Sequence, residues 1–263
     1  MKVRIHETPS DVGMHLARRI LAGIKTANET GRAYVLGCPS GRSPMPIYEG
    51  LASLLAENAI DCSRLIIVMM DEYLVETSAG TLQPPPASAH FSCRGFGERH
   101  IVGCLNAVLP EAWRVRLENL WLPDHTAPDT YDGRIAAAGG IDFFILASGA
   151  GDGHIAFNPP GTSRQATSRI VEMGEQTRRD NLATFPEFTS LEEVPRHGIT
   201  VGVASIVQLS AAAGMIVWGS GKQATCRRLA EATTYDPAWP ATIVAECRGG
   251  ELHADRSAAE GLQ

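Results

Sequence analysis

The chain has 263 residues, 44% of them apolar and 20% charged, a balance that excludes disorder and a fibrous repeat. Lys and Arg number 23 against 29 Asp and Glu, and the resulting charge of -6 provides no general attraction to nucleic acid or anionic membrane. The length fits one domain, 1–263, and any phosphate it binds must be held by a local site.

Taken in chain order, Lys2–His6 reads as a short edge strand. Ser10 can then cap a helix whose apolar residues Val12, Leu16, Ile20 and Ile24 recur every four positions and form one buried stripe. Ala33–Leu36 reads as a buried strand, 37–43 as a Gly/Ser loop, and Pro44 onward as a helix with Ile47, Leu51, Leu54 and Leu55 inward. Leu65–Met70 lacks polar alternation, which predicts a strand buried on both faces of a parallel sheet and places Asp71-Glu72 just beyond its carboxyl end. Residues 75–89, with Pro84-Pro85-Pro86, read as a long irregular connection, either a lid or binding loop or a plain linker.

Helices near Phe91–Val102 and Tyr131–Ala138 flank a short strand at Leu120–Leu122, and the strand Ile141–Ala147 runs directly into Ser148-Gly149-Ala150-Gly151-Asp152-Gly153-His154. A helix-like stretch at Glu175–Asn181 leads to a polar segment ending at Pro195. A strand at Met215–Trp218 and a helix opened by Gly219-Ser220-Gly221-Lys222 follow, and 254–263 reads as a frayed tail. Alternating strands and helices predict an α/β fold: a single domain with a mostly parallel twisted sheet flanked by helices, its function outside the carboxyl ends of the strands.

Six cysteines without a C-x-x-C pair, an N-terminus that is charged from Lys2, and apolar runs far below the roughly 18 residues of a membrane span predict a reduced, cytoplasmic protein without a membrane segment. Three loops after predicted strands carry chemistry. Ser40-Gly41-Arg42-Ser43 opens a helix, so backbone N–H groups, hydroxyls and the helix dipole can hold a phosphate dianion, although about half of such turns are only turns. Asp71-Glu72 is either a cap and solvated loop or a general base. Asp152-Gly153-His154 sets an acid beside an imidazole, with glycines that permit close backbone approach. Walker, dinucleotide and nucleophile-elbow patterns are all broken here. No His or Cys spacing matches a metal site, so neither metal nor cofactor is expected, and Cys38 and Cys93 read as buried small hydrophobes.

At 36–44, Met70-Asp71-Glu72-Tyr73, Gly151-Asp152-Gly153-His154-Ile155-Ala156-Phe157-Asn158, Gln176-Thr177-Arg178-Arg179 and 194–202, the chain resembles the glucosamine-6-phosphate deaminase/isomerase family, whose wider group includes 6-phosphogluconolactonases. The likeness runs in order from about residue 3 to about 252. It implies a modified Rossmann-like domain that binds a small sugar phosphate, opens its pyranose ring, moves a proton between C2 and C1, and releases ammonia. Residue by residue, Asp71 matches the base at C2, and Asp152 and His154 match the ring-opening pair. Ser40, Gly41 and Ser43 match the phosphate and sugar loop, and Arg178 and Lys222 match cationic substrate contacts. The sequence leaves the oligomeric state open, a homo-oligomer included.

Two departures stand out. The deaminases usually read Phe-Asn-Glu-Pro after the histidine, whereas Asn158 is here followed by Pro159-Pro160, which removes the glutamate that pairs with that histidine. Arg42 occupies the second glycine position of the first loop and adds a cation there. Of the family's effector contacts Arg169 is present, but Val171 stands where a lysine is expected. A 6-phosphogluconolactonase-like hydrolase and a non-catalytic sugar-phosphate binder are the alternative readings.

Overall fold

A computed structural model describes residues 1–262. In chain order the elements are β1 (Lys2–His6), α1 (Pro9–Glu29), β2 (Tyr34–Cys38), α2 (Met45–Glu57), β3 (Leu65–Met69), β4 (Asp71–Glu76) and β5 (Leu82–Gln83). A continuous helical stretch, α3 (Cys93–Phe96), a π-helical segment at Gly97–Gly103 and α4 (Cys104–Asn106), leads to β6 (Leu120–Trp121), α5 (Thr130–Ala137) and β7 (Phe143–Ala147). Then come β8 (Arg169–Glu172), α6 (Glu175–Thr184), β9 (His197–Thr200), α7 (Val203–Leu209), β10 (Ala213–Val217), α8 (Gln223–Glu231) and β11 (Glu251–Asp255).

Seven strands form a parallel sheet in the order β1-β11-β10-β7-β2-β3-β6. Apolar side chains on both faces explain why its central strands read as continuous hydrophobic runs. One face packs on α1 and α2 through Leu16, Ile20, Ile24, Ile47 and Leu51, and the other on Ile135, Val203, Ile206 and Leu229. From β2 the chain proceeds to β3 and β6, whereas from β7 it proceeds to β10 and β11. The direction of winding therefore reverses between β2 and β7, where an open parallel sheet leaves a crevice at the carboxyl ends of its strands.

A second, antiparallel sheet, β5-β4-β9-β8, went unread in the sequence. Asp71 lies immediately beyond β3 as expected, but it also begins β4 and pairs with Thr200 of β9. Residues Val75 and Glu76 pair with Gln83 and Leu82, so the first part of 75–89 is a hairpin rather than an irregular connection. The Thr77 amide donates to the Thr81 carbonyl at its tip, 2.8 Å away. The frayed tail expected at 254–263 is also corrected: Ala254 and Asp255 complete β11, and Ala254, Ala258 and Ala259 pack into the core. The Asp255 carboxylate accepts the amides of Gly219 and Ala258, so this segment is held by apolar burial and capping; Gln263 lies outside the described residues.

No helix among the described residues is long and apolar enough to cross a membrane. Where β1, α1 and β11 meet, the ring centroids of His6, His15 and His253 lie 5.0–5.6 Å apart, with only His6 and His253 stacked. Burial holds the His253 imidazole well below its ordinary pKa, with the Glu251 carboxylate pulling the other way and His15, His6 and Arg4 adding to the depression.

Candidate active site

A crevice of about 500 Å³ opens at the reversal point, lined from the ends of β2, β3, β7 and β10 and from one face of α6. At its base, Ser40, Gly41, Arg42 and Ser43 lead into the N-terminus of α2. Two bonds hold this loop in place: the Tyr48 hydroxyl donates to the Pro39 carbonyl (2.8 Å), and the Trp218 indole N–H donates to the Ser43 carbonyl (2.9 Å). Lys222 reaches in from the turn after β10, and its Nζ donates to the Ser148 carbonyl at 2.7 Å. Burial lowers its pKa, as does the neighbouring Arg42, while the Asp180 carboxylate opposes the change.

Asp71 and Glu72 turn out to have opposite duties. Glu72 faces the N-terminus of α3 and accepts the amides of Tyr73 (2.9 Å), Cys93 (2.8 Å) and Arg94 (2.8 Å) and the Ser92 hydroxyl (3.1 Å). It is therefore the structural anion that the cap reading foresaw, placed where free N–H groups and the helix dipole favour a carboxylate. Asp71 faces the crevice, only 5% exposed. Burial pushes its carboxyl up to about 7 and the Glu72 charge adds to this, against the pull of the Cys93 thiol and His154. The Cys93 Sγ–H donates to Asp71 Oδ1 at 3.3 Å, and Ser40 Oγ lies 3.5 Å from the same sulfur. Burial raises the thiol well above its ordinary pKa, so Cys93 acts as a neutral donor and not as a nucleophile.

Opposite Asp71, the loop after β7 folds back on itself. His154 Nδ1 lies 2.7 Å from Asp152 Oδ1, and the His154 amide donates to the same oxygen at 3.1 Å. This bond fixes the ring orientation and leaves Nε2 as the free nitrogen. Burial raises the Asp152 pKa, but the bonds from His154 outweigh it and the net shift is downward. The glycines are required here. A Cβ on Gly149 would lie 2.2 Å from His154 Nδ1, and Gly153 has a φ of +65° with the Trp239 ring 2.3 Å from where its Cβ would stand. Beyond the histidine, Asn158 donates to the carbonyls of Ile155 (3.0 Å) and Val201 (2.8 Å) and closes a turn in which Ala156 has a φ of +49°. Arg169 donates to Asn158 Oδ1 at 2.9 Å and so braces this turn.

Of the residues singled out in the sequence, Ser40, Gly41, Arg42, Ser43, Asp71, His154 and Lys222 line the crevice, and Asp152 is bonded to one of them. Arg178 does not. Its guanidinium donates to the carbonyls of Leu191 and Val194 and staples the segment after α6. The helical repeat explains the correction: Thr177, Asp180, Asn181 and Thr184 are spaced three, four and seven residues apart and share the crevice face, and Arg178 falls one position round the helix. That polar stripe was a signal in the sequence that motif matching passed over. Asp152, His154 and Asp180 each bring a donor atom within 4.8 Å of the others, the one grouping among the described residues close enough to share a cation.

No family model matches the chain. A glucosamine-6-phosphate deaminase of Porphyromonas gingivalis is 33% identical over 240 residues, covering 91% of this chain and 85% of its own. A glucosamine-6-phosphate isomerase of Candida albicans is 28% identical over 265 residues, 98% of each. A glucosamine-6-phosphate deaminase of Streptomyces avermitilis is 36% identical over 180 residues, and this match spans only 61% of that protein's length. Among solved structures, a monomeric glucosamine-6-phosphate deaminase superposes with a TM-score of 0.83 at 23% identity, covering 98% of this chain and 99% of its own. A 6-phosphogluconolactonase from Shewanella baltica superposes at 0.65 and 19% identity over 97% of each chain.

Fold and crevice together thus define a doubly wound α/β protein with the fold of the solved deaminase and lactonase structures. Sequence identity then decides the family: this chain belongs to the glucosamine-6-phosphate deaminase/isomerase family.

Proposed function

We propose that the chain converts a hexosamine 6-phosphate to a ketose 6-phosphate with release of ammonia. The observation that carries the reading is the position of two separate acid–base groups, the buried Asp71 carboxyl and the Asp152–His154 pair, on one crevice with Ser40–Ser43 and Lys222 at its base. The phosphate dianion binds at the start of α2, where N–H groups and two cations, Arg42 and Lys222, favour it. This grip lies away from the reacting carbons and orients them.

Ring opening breaks the C1–O5 bond. Its electron pair goes to O5, which takes a proton from His154, while the C1 hydroxyl gives its proton to Asp152 and C1 becomes an aldehyde. Ionised Asp71 then removes the C2 proton while Asp152 returns its proton to O1, giving the enolamine, and Asp71 delivers its proton to C1, as general-base chemistry beside a carbonyl requires. Water adds to the iminium left at C2 and ammonia is expelled, and the proton released as the C2 carbonyl forms restores the protonated His154. A carboxyl raised to about 7 suits Asp71 for both halves of this transfer near neutral pH.

The deciding assay incubates the purified protein with glucosamine 6-phosphate and follows ammonia and ketose phosphate together. Equal release of both is expected. Hydrolysis of a 6-phosphogluconolactone without ammonia release would assign the lactonase reading instead. A rise in Tm with the sugar phosphate but no turnover of either compound would leave only binding.

A further inference from the structure

With Pro159 following Asn158, the loop that carries Asp152 and His154 supplies no second carboxylate to the imidazole. Pro159 packs toward the N-cap of α6, its Cβ 3.3 Å from where a Cβ on Gly174 would stand. The helix that begins there then brings an acid to the crevice. Asp180 projects from the same stripe as Thr177 and Thr184, and one of its carboxylate oxygens lies within 4.8 Å of a His154 ring nitrogen and of an Asp152 oxygen.

Asp180 is also held in place. Its Oδ1 accepts from Gln176 Nε2 at 2.9 Å, and the Gln176 carboxamide lies against Gly151, 3.3 Å from where that residue's Cβ would be. Gln176 therefore ties Asp180 to the loop that presents His154. The Asp180 charge also reaches Lys222, whose proton it helps to retain. Two carboxylates beside one imidazole, one from the loop and one from a helix, form a second-carboxylate arrangement built from a different part of the chain.

We infer that Asp180 is a positioning residue for ring opening: together with Asp152 it orients the His154 imidazole and favours its protonated form, the one that gives a proton to O5. The inference rests on the reading under "Proposed function". Asp180 need not touch the sugar, because its charge acts through the imidazole. Without Asp180 a smaller fraction of His154 carries the proton that O5 needs, so fewer molecules can open the ring.

The test compares the parent protein, Asp180→Asn and Asp180→Glu, each freed of divalent cations with a chelator. Two quantities are measured: the pH profile of ammonia release from glucosamine 6-phosphate, and the NMR titration of the histidine rings without substrate. Asp180→Asn should lower kcat about tenfold or more, a fraction of what general acid–base catalysis supplies. KM should change little, the profile should move to lower pH, and His154 should titrate at lower pH than in the parent. Asp180→Glu should restore most of the loss.

An Asp180→Asn protein with parental kcat, profile and titration would overturn the inference while leaving the function intact. So would recovery of parental activity only on adding a divalent cation, because Asp180 would then be a metal ligand. A parent protein that releases no ammonia would overturn the proposed function, and the titration would still decide whether Asp180 governs His154.

Discussion

Asp71 and Asp152 are aspartates on the same crevice, and their surroundings drive them apart. Asp71 begins β4 just beyond a strand of the parallel sheet, is almost sealed from water, and has a single thiol as its side-chain donor, so its proton is held up to about 7. Asp152 sits on a glycine-rich loop, partly wet, with two N–H donors from His154 that keep it ionised. The contrast supports the proposed roles. A carboxyl that gains and loses a proton near pH 7 suits the carbon acid, and one that rests ionised suits both the orientation of an imidazole and acceptance of the C1 hydroxyl proton.

The strongest way to break this division is Asp71→Asn. Proton exchange at C2 should fall by about 10²–10⁴-fold, the usual worth of a general base, while a phosphorylated ligand still raises the Tm. Unchanged exchange would move the base elsewhere. Asp152→Asn should cost less, about 10–100-fold in kcat, because water can take the C1 hydroxyl proton in its place while the imidazole loses its orienting charge. A loss confined to KM would contradict that role.

The pH dependence sharpens the comparison. If ionised Asp71 is the base, kcat/KM should fall about tenfold for each pH unit below its value of about 7. Stability should move in the opposite direction. A carboxyl raised on folding opposes the native state when ionised, so the Asp71 contribution is full below about pH 4 and is lost as pH rises through about 7. Chemical denaturation should therefore show Asp71→Asn gaining on the parent across that window, by at most about 1.4 kcal/mol per unit of raised pKa. The smallest expected effect is that of Cys93→Ala. Removing the thiol donor withdraws support from the carboxylate, and the acid limb should shift upward by a fraction of a unit.

Much of the scaffold was legible because period-four apolar stripes and unbroken apolar strands have few interpretations. Leu16, Ile20 and Ile24, or Leu65 through Met69, could be buried in only a few ways. The second sheet was not, because β8 and β9 are four residues each and lie among polar and proline residues that locally signal loop. At the site, Asp152 and His154 were readable because they are two residues apart. Asp180 was hidden because its partners are far from it in sequence, and only the fold puts α6 beside the β7 loop. Arg178 misled for the same reason: a motif gives residue identity, but which way a helical side chain faces follows from the rotation of the helix about its axis.

The pairing of β1 with β11 bears on how the chain is made. Every residue of β1 finds its sheet partner in a strand from the far end of the sequence. During synthesis β1 leaves the ribosome long before β11 and must wait for it before it can dock, and β10 meanwhile presents an open edge. A nascent or truncated chain ending before Glu251 would carry two unsatisfied strand edges at once. Such a species would pair with other chains, so termination before β11 should yield aggregates rather than a slightly shortened folded protein.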